Sequence, residues 1–481
     1  MTHVAERHSG CRVPPRKRHQ RTIGSICKRL ACPWDRDRFD RCLSGRAVDE
    51  RMKVQRRRSK GPLLGLSRSS IVATTREHLN AGMVDWLLDL EIDLVVGRRE
   101  GCFLYDVDGG AYLDVVCDGT TFNLGHRHPS LVAKLKESAD LWDIGCQFFP
   151  SAARVALARE LLSCVSPSLR FVHFANSGSE ASEAAIKAAR AATGRQKIVS
   201  VRGGRHGTMG LAGRLTGASP PGSSPIAAPS GALKVEWNDP GAIATAVRRK
   251  DVAAVIIETI PAALGWPMPA PDYHRRVREL CSEAGALLIV DEAQTGLGRT
   301  GKVWAIEHWD VVPDILVMAK GAGGGLYPLG YCVMNSGAAA WMTSQPLAML
   351  SSFAGSELGC VVGCEVLRMT KEPEFLVTVG SRAQHLSAGL NSLAARFPAQ
   401  ILEVRQLGLA AALKFADPLG GALMMAALFK HHVWATAAAF DLSVIQIKPP
   451  LIIDCAQLDV LMDALHQAIL DCWGNVGAVR S

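Results

Sequence analysis

Between about residues 150 and 330 the chain alternates short apolar runs with stretches of helical period. The pattern appears at 154–162, 171–175, 182–192, 197–201 and 252–258. Uninterrupted β-branched runs of five to seven residues suit strands buried on both faces, and strand–helix alternation predicts a parallel sheet flanked by helices. Upstream, the runs at 103–107 and 111–115 flank Asp108-Gly-Gly110 and read as a hairpin. Downstream of about residue 374 the pattern changes to that of a smaller α+β unit. It has an apolar helical segment at 421–430 and a closing helix at 458–472. Thr216 to Ser230, rich in Pro, Gly, Ser and Ala, reads as an exposed loop.

Charge divides the chain more sharply than hydropathy does. The net charge is +9. Residues 1–70 hold 19 Lys/Arg against 6 Asp/Glu, a balance of +13, so the remaining 411 residues carry −4. Without a sustained amphipathic period, this arginine-rich leader is expected to be disordered. It could bind nucleic acid or an acidic partner through phosphate attraction, act as a targeting peptide, or be translated sequence ahead of a true start at Met52. The last reading is preferred, and nucleic acid is not expected as a partner except through the leader. Four of the fourteen cysteines lie in the leader, and there is no Cys-x-x-Cys pair. Cys360 and Cys364 share a helix face, a weak sign of a metal and a common one of small buried hydrophobes. No metal is expected. This cysteine usage suits a reducing cytoplasm, and no apolar stretch is long enough for a membrane span.

The apolar runs end in chemistry. Ala286-Leu-Leu-Ile-Val-Asp291-Glu-Ala-Gln294 stops on a carboxylate, and Asp314-Ile-Leu-Val-Met-Ala-Lys320 stops on an amine followed by Gly321 and Gly323 to Gly325. Ligands of parallel sheets sit beyond the carboxyl ends of strands, where both residues fall. For either residue alone a salt bridge is the simpler account. Together they suit pyridoxal phosphate: the lysine forms the Schiff base, and the aspartate keeps the pyridine nitrogen protonated so that the ring accepts electrons. A phosphate would find its seat at Asn176-Ser177-Gly178-Ser179-Glu180, a hydroxyl-bearing turn before an alanine-rich helical run. Taken alone, the same residues read more simply as an ordinary helix cap.

In order along the chain stand Ser177-Gly-Ser-Glu-Ala, Gly204-Arg-His206-Gly207, Glu258, Asp291-Glu-Ala-Gln294-Thr-Gly-Leu-Gly-Arg-Thr-Gly301, Lys320-Gly and Ser351-Ser-Phe. With Phe122-Asn-Leu-Gly-His126 and Lys448-Pro-Pro-Leu451, this set resembles the class III pyridoxal-phosphate aminotransferases, which include ω-amino acid transaminases and glutamate-1-semialdehyde aminomutase. The resemblance implies fold type I, an α/β class with a large, mostly parallel sheet domain plus a smaller α+β domain. The expected layout is a leader at 1–70, an N-terminal segment of the small domain at 71–140, a large cofactor domain at 141–373, and a C-terminal small domain at 374–481. It implies Lys320 as the covalent anchor and proton carrier, Asp291 at the pyridine nitrogen, and Gln294 near the phenolic oxygen. Ser177, Gly178 and Ser179 would hold the phosphate. Glu258 would line the site, and His206 would stand beside the cofactor. Ser352 would reach the phosphate of a neighbouring subunit's cofactor, which implies a homodimer with the site at its interface.

Several positions depart from the family pattern. Arg205 stands where an aromatic ring usually stacks on the cofactor, Thr259 where proline is common, and Gln406 where glycine is. Gln446 occupies the place of an arginine that binds a substrate carboxylate in several members. The expected activity is transfer of an amino group from a small-molecule donor to a carbonyl acceptor. An aminomutase or decarboxylase on the same scaffold, or a degenerate relative, is the alternative.

Overall fold

A computed structural model describes residues 65–145, 148–217 and 231–474. The leader up to residue 64 and most of the 216–230 loop lie outside the described residues. Arg68, counted by charge with the leader, opens the helix Arg68–Thr74. Its guanidinium bonds Asp106 and, at 2.8 Å, Asp108, which fastens this helix to the first hairpin.

Seven strands form the central sheet: β1 (Leu169–Ala175), β2 (Lys197–Val201), β3 (Ala232–Val235), β4 (Val252–Glu258), β5 (Leu287–Asp291), β6 (Ile315–Met318) and β7 (Gly330–Asn335). Their spatial order is β1-β7-β6-β5-β4-β2-β3. The β6, β5, β4, β2 and β3 neighbours pair in parallel, while β7 runs antiparallel to both β6 and β1. The sheet is thus mostly parallel, as the alternation predicts. Every residue of β4 is buried, which explains why its only charge is the terminal Glu258. Helices cover both faces, and one apolar cluster lies on each side. The helix Gly178–Thr193 turns its alanines, among them Ala181, Ala184, Ala185 and Ala188, to the sheet. Small side chains let it sit close.

Two smaller sheets share another core. The hairpin strands Phe103–Asp106 and Ala111–Asp114 pair with Phe103 opposite Leu113, as the Asp108-Gly-Gly110 turn requires. Val96–Glu100 extends one side of this sheet, and Val433–Trp434, from the far end of the chain, adds in parallel on the other. The second sheet holds Ile401–Leu407, Ala410–Phe415, Asp441–Ile447 and Thr436–Ala438. The helices Pro373–Arg396 and Gly420–Lys430 pack on it, and Cys455–Trp473 packs on those two helices. One apolar cluster runs from Ile92 and Leu113 through Leu386, Leu413 and Leu428 to Leu465, so the two chain ends bury a common core. Asp454 and Gln457 form a reciprocal cap that starts the last helix.

Candidate active site

The carboxyl ends of β4, β5 and β6 bring three charged residues to one edge. Glu258 and Asp291 close their strands as register partners, and Val317 lies opposite Asp291. Lys320 follows β6 on a tight turn, Lys320–Gly323, with φ at +51°. A non-glycine residue in the left-handed region is strained, and such strain concentrates at working sites. A cavity of about 590 Å³ opens here, lined among others by Ser177, Arg205, Glu258, Asp291, Gln294 and Lys320.

Asp291 is held from two sides. Oδ2 meets His206 Nδ1 at 3.0 Å, and Oδ1 accepts from the Ala293 backbone N–H at 3.0 Å. His206 is buried, and its Nε2 has no partner among the described residues. The histidine therefore orients the carboxylate. Glu258 accepts backbone N–H bonds from Arg205 at 2.8 Å and from Ala262 at 3.4 Å. Burial pushes its carboxyl up to about 7, with Asp291 adding to the effect and His206 opposing it.

The Lys320 amine is boxed in by a neighbouring turn. Cys117, Asp118, Gly119 and Thr120 all have positive φ. This left-handed stretch passes so close that a Cβ on Gly119 would lie 3.0 Å from Lys320 Nζ and 3.4 Å from Gln294 Oε1. Burial holds the Lys320 amine below its ordinary value. Arg205 lowers it further, while Asp118, Asp291 and Glu258 oppose. A lowered amine is more often neutral, the form that attacks a carbonyl.

At the end of β1, Ser177 caps the helix Gly178–Thr193 by accepting from the Glu180 N–H at 3.2 Å. The Ser179 hydroxyl accepts from the Thr208 N–H at 3.0 Å. Glu180 turns back onto the Asn176 N–H and Nδ2, so its charge is directed away from the two serines. The cap and the anion seat are the same residues, and both readings fit one geometry. Gly330, opposite Ala175, is required here, because a Cβ would strike the Ser177 carbonyl at 2.6 Å.

The structure gathers Ser177, Gly178, Ser179, Arg205, His206, Glu258, Asp291, Gln294 and Lys320 around one cavity. Ser352 is absent from that lining and stands on an exposed loop. Its neighbour Ser351 accepts from Asn176 Nδ2 at 2.8 Å, which ties the loop to the rim. The departures from the family pattern have local reasons. Thr259 donates to Glu292 Oε1 at 2.7 Å, and Glu292 also accepts from Thr295 and the Ala305 and Ile306 N–H groups. Gln406 donates to the Ala383 and Gly408 carbonyls. Gln446 is buried between the Ala437 carbonyl and Lys448, which donates to it at 2.7 Å.

Two residues of the quoted motifs were given no role from the sequence. Fully buried Arg299 donates to the carbonyls of Leu409 and Pro449 and to Asn123 Oδ1, joining three distant segments. Burial also pushes the Lys448 amine down to about 7, with Lys320 and Arg299 adding to the fall. An arginine in a glycine-rich motif, and a lysine before two prolines, were the available signals. Cys360 and Cys364 belong to one helix, and no group of three or more potential metal ligands occurs among the described residues.

The donor set fits pyridoxal phosphate. A shielded amine, an oriented carboxylate and a helix start with two hydroxyls face one cavity, and the unpartnered His206 Nε2 lies behind the carboxylate.

Comparison with known proteins agrees. The family model for class III aminotransferases matches residues 89–469. An uncharacterized aminotransferase of Archaeoglobus fulgidus is 39% identical over 404 residues, which is 84% of this chain and 94% of the relative. A putrescine aminotransferase of Pectobacterium atrosepticum is 31% identical over 406 residues, covering 81% and 86% of the two chains. Among solved structures, a transaminase from the marine bacterium Virgibacillus superposes with a TM-score of 0.77 at 25% identity, covering 84% of this chain and 99% of that one. An ornithine aminotransferase of Toxoplasma gondii, described with partial occupancy of PLP at its active site, shares the fold with a TM-score of 0.74 at 24% identity, over 84% and 94% of the chains.

Proposed function

Because the chain belongs to the class III aminotransferases, which depend on pyridoxal phosphate, we propose a role for each residue around the cavity. When bound, the cofactor supplies an aldehyde that takes up an amino group and a protonated ring that draws electrons from the adjoining carbon. Lys320 Nζ would hold the cofactor through that aldehyde. The same amine would hold and return a proton at the substrate carbon. Burial supports this role, since it lowers the amine and so favours its neutral form. Asp291, fixed by His206 and the Ala293 N–H, holds the proton on the ring nitrogen. Gln294 stands toward the phenolic oxygen. Ser177, Gly178 and Ser179 hold the phosphate at the helix start, while Arg205, His206 and Glu258 complete the walls. A small-molecule amino donor and a carbonyl acceptor would take turns in the same cavity, each exchanging a proton with Lys320. The single observation that carries this reading is the convergence of Lys320 and Asp291 on one cavity with a helix start.

The site is proposed to be completed by a second copy of the chain. Leu141, Phe148, Phe149, Leu347 and Phe353 are large, apolar and exposed. Gly145 lies near Ser352, and the adjoining Ser351 bonds the cavity residue Asn176. Clustered exposed apolar residues beside a site favour a protein partner over water. On this reading Ser352 serves the neighbouring cofactor. Cytoplasmic residence is proposed from the cysteines, which are scattered along the sequence with no Cys-x-x-Cys pair. No helix among the described residues is long and apolar enough to cross a membrane.

The test is chemical. Borohydride reduction of the loaded enzyme should leave cofactor mass on the peptide containing Lys320, and Lys320→Ala should lose both that adduct and turnover. Normal turnover in the alanine variant would sink the assignment.

A further inference from the structure

One cation on the cavity wall has no ion-pair partner among the described residues. Arg205 lines the cavity alongside Lys320 and is exposed to it. Its backbone is pinned, because its N–H donates to Glu258 Oε1 at 2.8 Å. The two buried carboxylates of the site are already engaged. Asp291 is taken by His206 and Ala293, and Glu258 by the N–H groups of Arg205 itself and Ala262. Among the described residues no acceptor pairs with the Arg205 guanidinium.

The remaining cations cannot serve a substrate. Lys320 is committed to the reaction. Lys448 is buried, donates to Gln446 and is not part of the cavity wall. Arg299 is spent on two carbonyls and Asn123. The backbone at Gly119 closes one side of Lys320. Among the described residues Arg205 is thus the one permanently charged donor lining the space that a substrate would fill. A guanidinium is planar, stays charged, and presents a fork of donors matched to a carboxylate.

We propose that Arg205 is a specificity-determining residue that pairs with a carboxylate of the substrate, so that carboxylate-bearing substrates are selected over plain amines. The proposal rests on the reading that Lys320 is the reactive amine of the same cavity.

Two probes applied to the loaded enzyme test it. Pentanoate carries the carboxylate and has no amine to react, and its binding is read as a change in the cofactor's visible absorption. The second probe is a matched donor pair, 4-aminobutyrate and n-butylamine. Arg205→Gln should weaken pentanoate binding by roughly ten- to a hundredfold, the loss expected for one charged hydrogen-bonding partner. It should also lower the 4-aminobutyrate to butylamine ratio of kcat/KM by a similar factor. Arg205→Lys should fall between, since it restores the charge without the fork. The proposal is overturned if pentanoate binds the Gln variant as well as it binds the parent, or does not bind the parent at all. It is equally overturned if both donors weaken by one common factor while cofactor affinity falls, because Arg205 would then serve the cofactor alone. Failure of the parent to form any lysine-bound cofactor would sink the underlying reading of Lys320, and the proposal with it.

Discussion

Replacing Lys448 with methionine should raise or lower stability depending on pH. Met keeps most of the length and volume of the side chain and removes the amine. Burial, with Lys320 and Arg299 nearby, takes that amine from 10.5 down to about 7. The difference of 3.5 units is worth about 5 kcal/mol. The sign follows from linkage. Below pH 7 both folded and unfolded chains carry the ammonium, and the folded one holds it in a dry site at full cost. Between pH 7 and 10.5 the unfolded chain binds more protons, so wild-type stability rises with pH and the cost disappears. Against this gain, the variant leaves Gln446 Oε1 without its donor, a loss of about 1–3 kcal/mol at every pH. In cofactor-free protein the variant should therefore be more stable at pH 6 by about 2–4 kcal/mol and less stable near pH 10. For a chain of this length each kcal/mol moves Tm by roughly 1 °C. Thermal scans of both proteins at the two pH values make the check. A Tm difference of constant sign and size across that range would refute the buried-ammonium argument.

Glu258→Gln should act in the opposite window. The carboxyl is raised from 4.5 to about 7, so its contribution is lost as pH climbs through that range. The glutamine variant should gain on the parent between pH 4.5 and 7 and level off at about 3 kcal/mol, read by the same scans. Gly119→Ala meets two obstacles, a φ of +65° and a Cβ 3.0 Å from Lys320 Nζ. It should slow formation of lysine-bound cofactor, followed by absorbance, far more than it lowers Tm, and equal loading rates would contradict the crowding argument.

The sequence carried the sheet well because its strands are continuous apolar runs. Burial on both faces leaves no room for polar residues until the strand ends, so Glu258, Asp291 and Lys320 stood out as terminal charges. The hairpin at Asp108-Gly-Gly110 was legible from turn chemistry alone. What stayed hidden depends on contacts between distant segments. Arg299 meets Asn123 and Pro449, and the glycine-rich motif around it gives no sign of those partners. The buried Lys448 is tied by its backbone N–H to the Val115 carbonyl, more than 300 residues away in sequence, which no periodicity records. Thr259 and Gln406 read as departures from a pattern, whereas each satisfies a buried partner.

The parallel pairing of Val433–Trp434 with Ala111–Asp114 has a consequence for synthesis. Leu113 and Val433 leave the ribosome about 320 residues apart, so the hairpin waits through most of translation with one edge bare. Exposed strand edges recruit other chains, and pairings this remote in sequence form slowly. A nascent or truncated chain that stops before residue 433 should thus be a chaperone client, however well its central sheet has already formed.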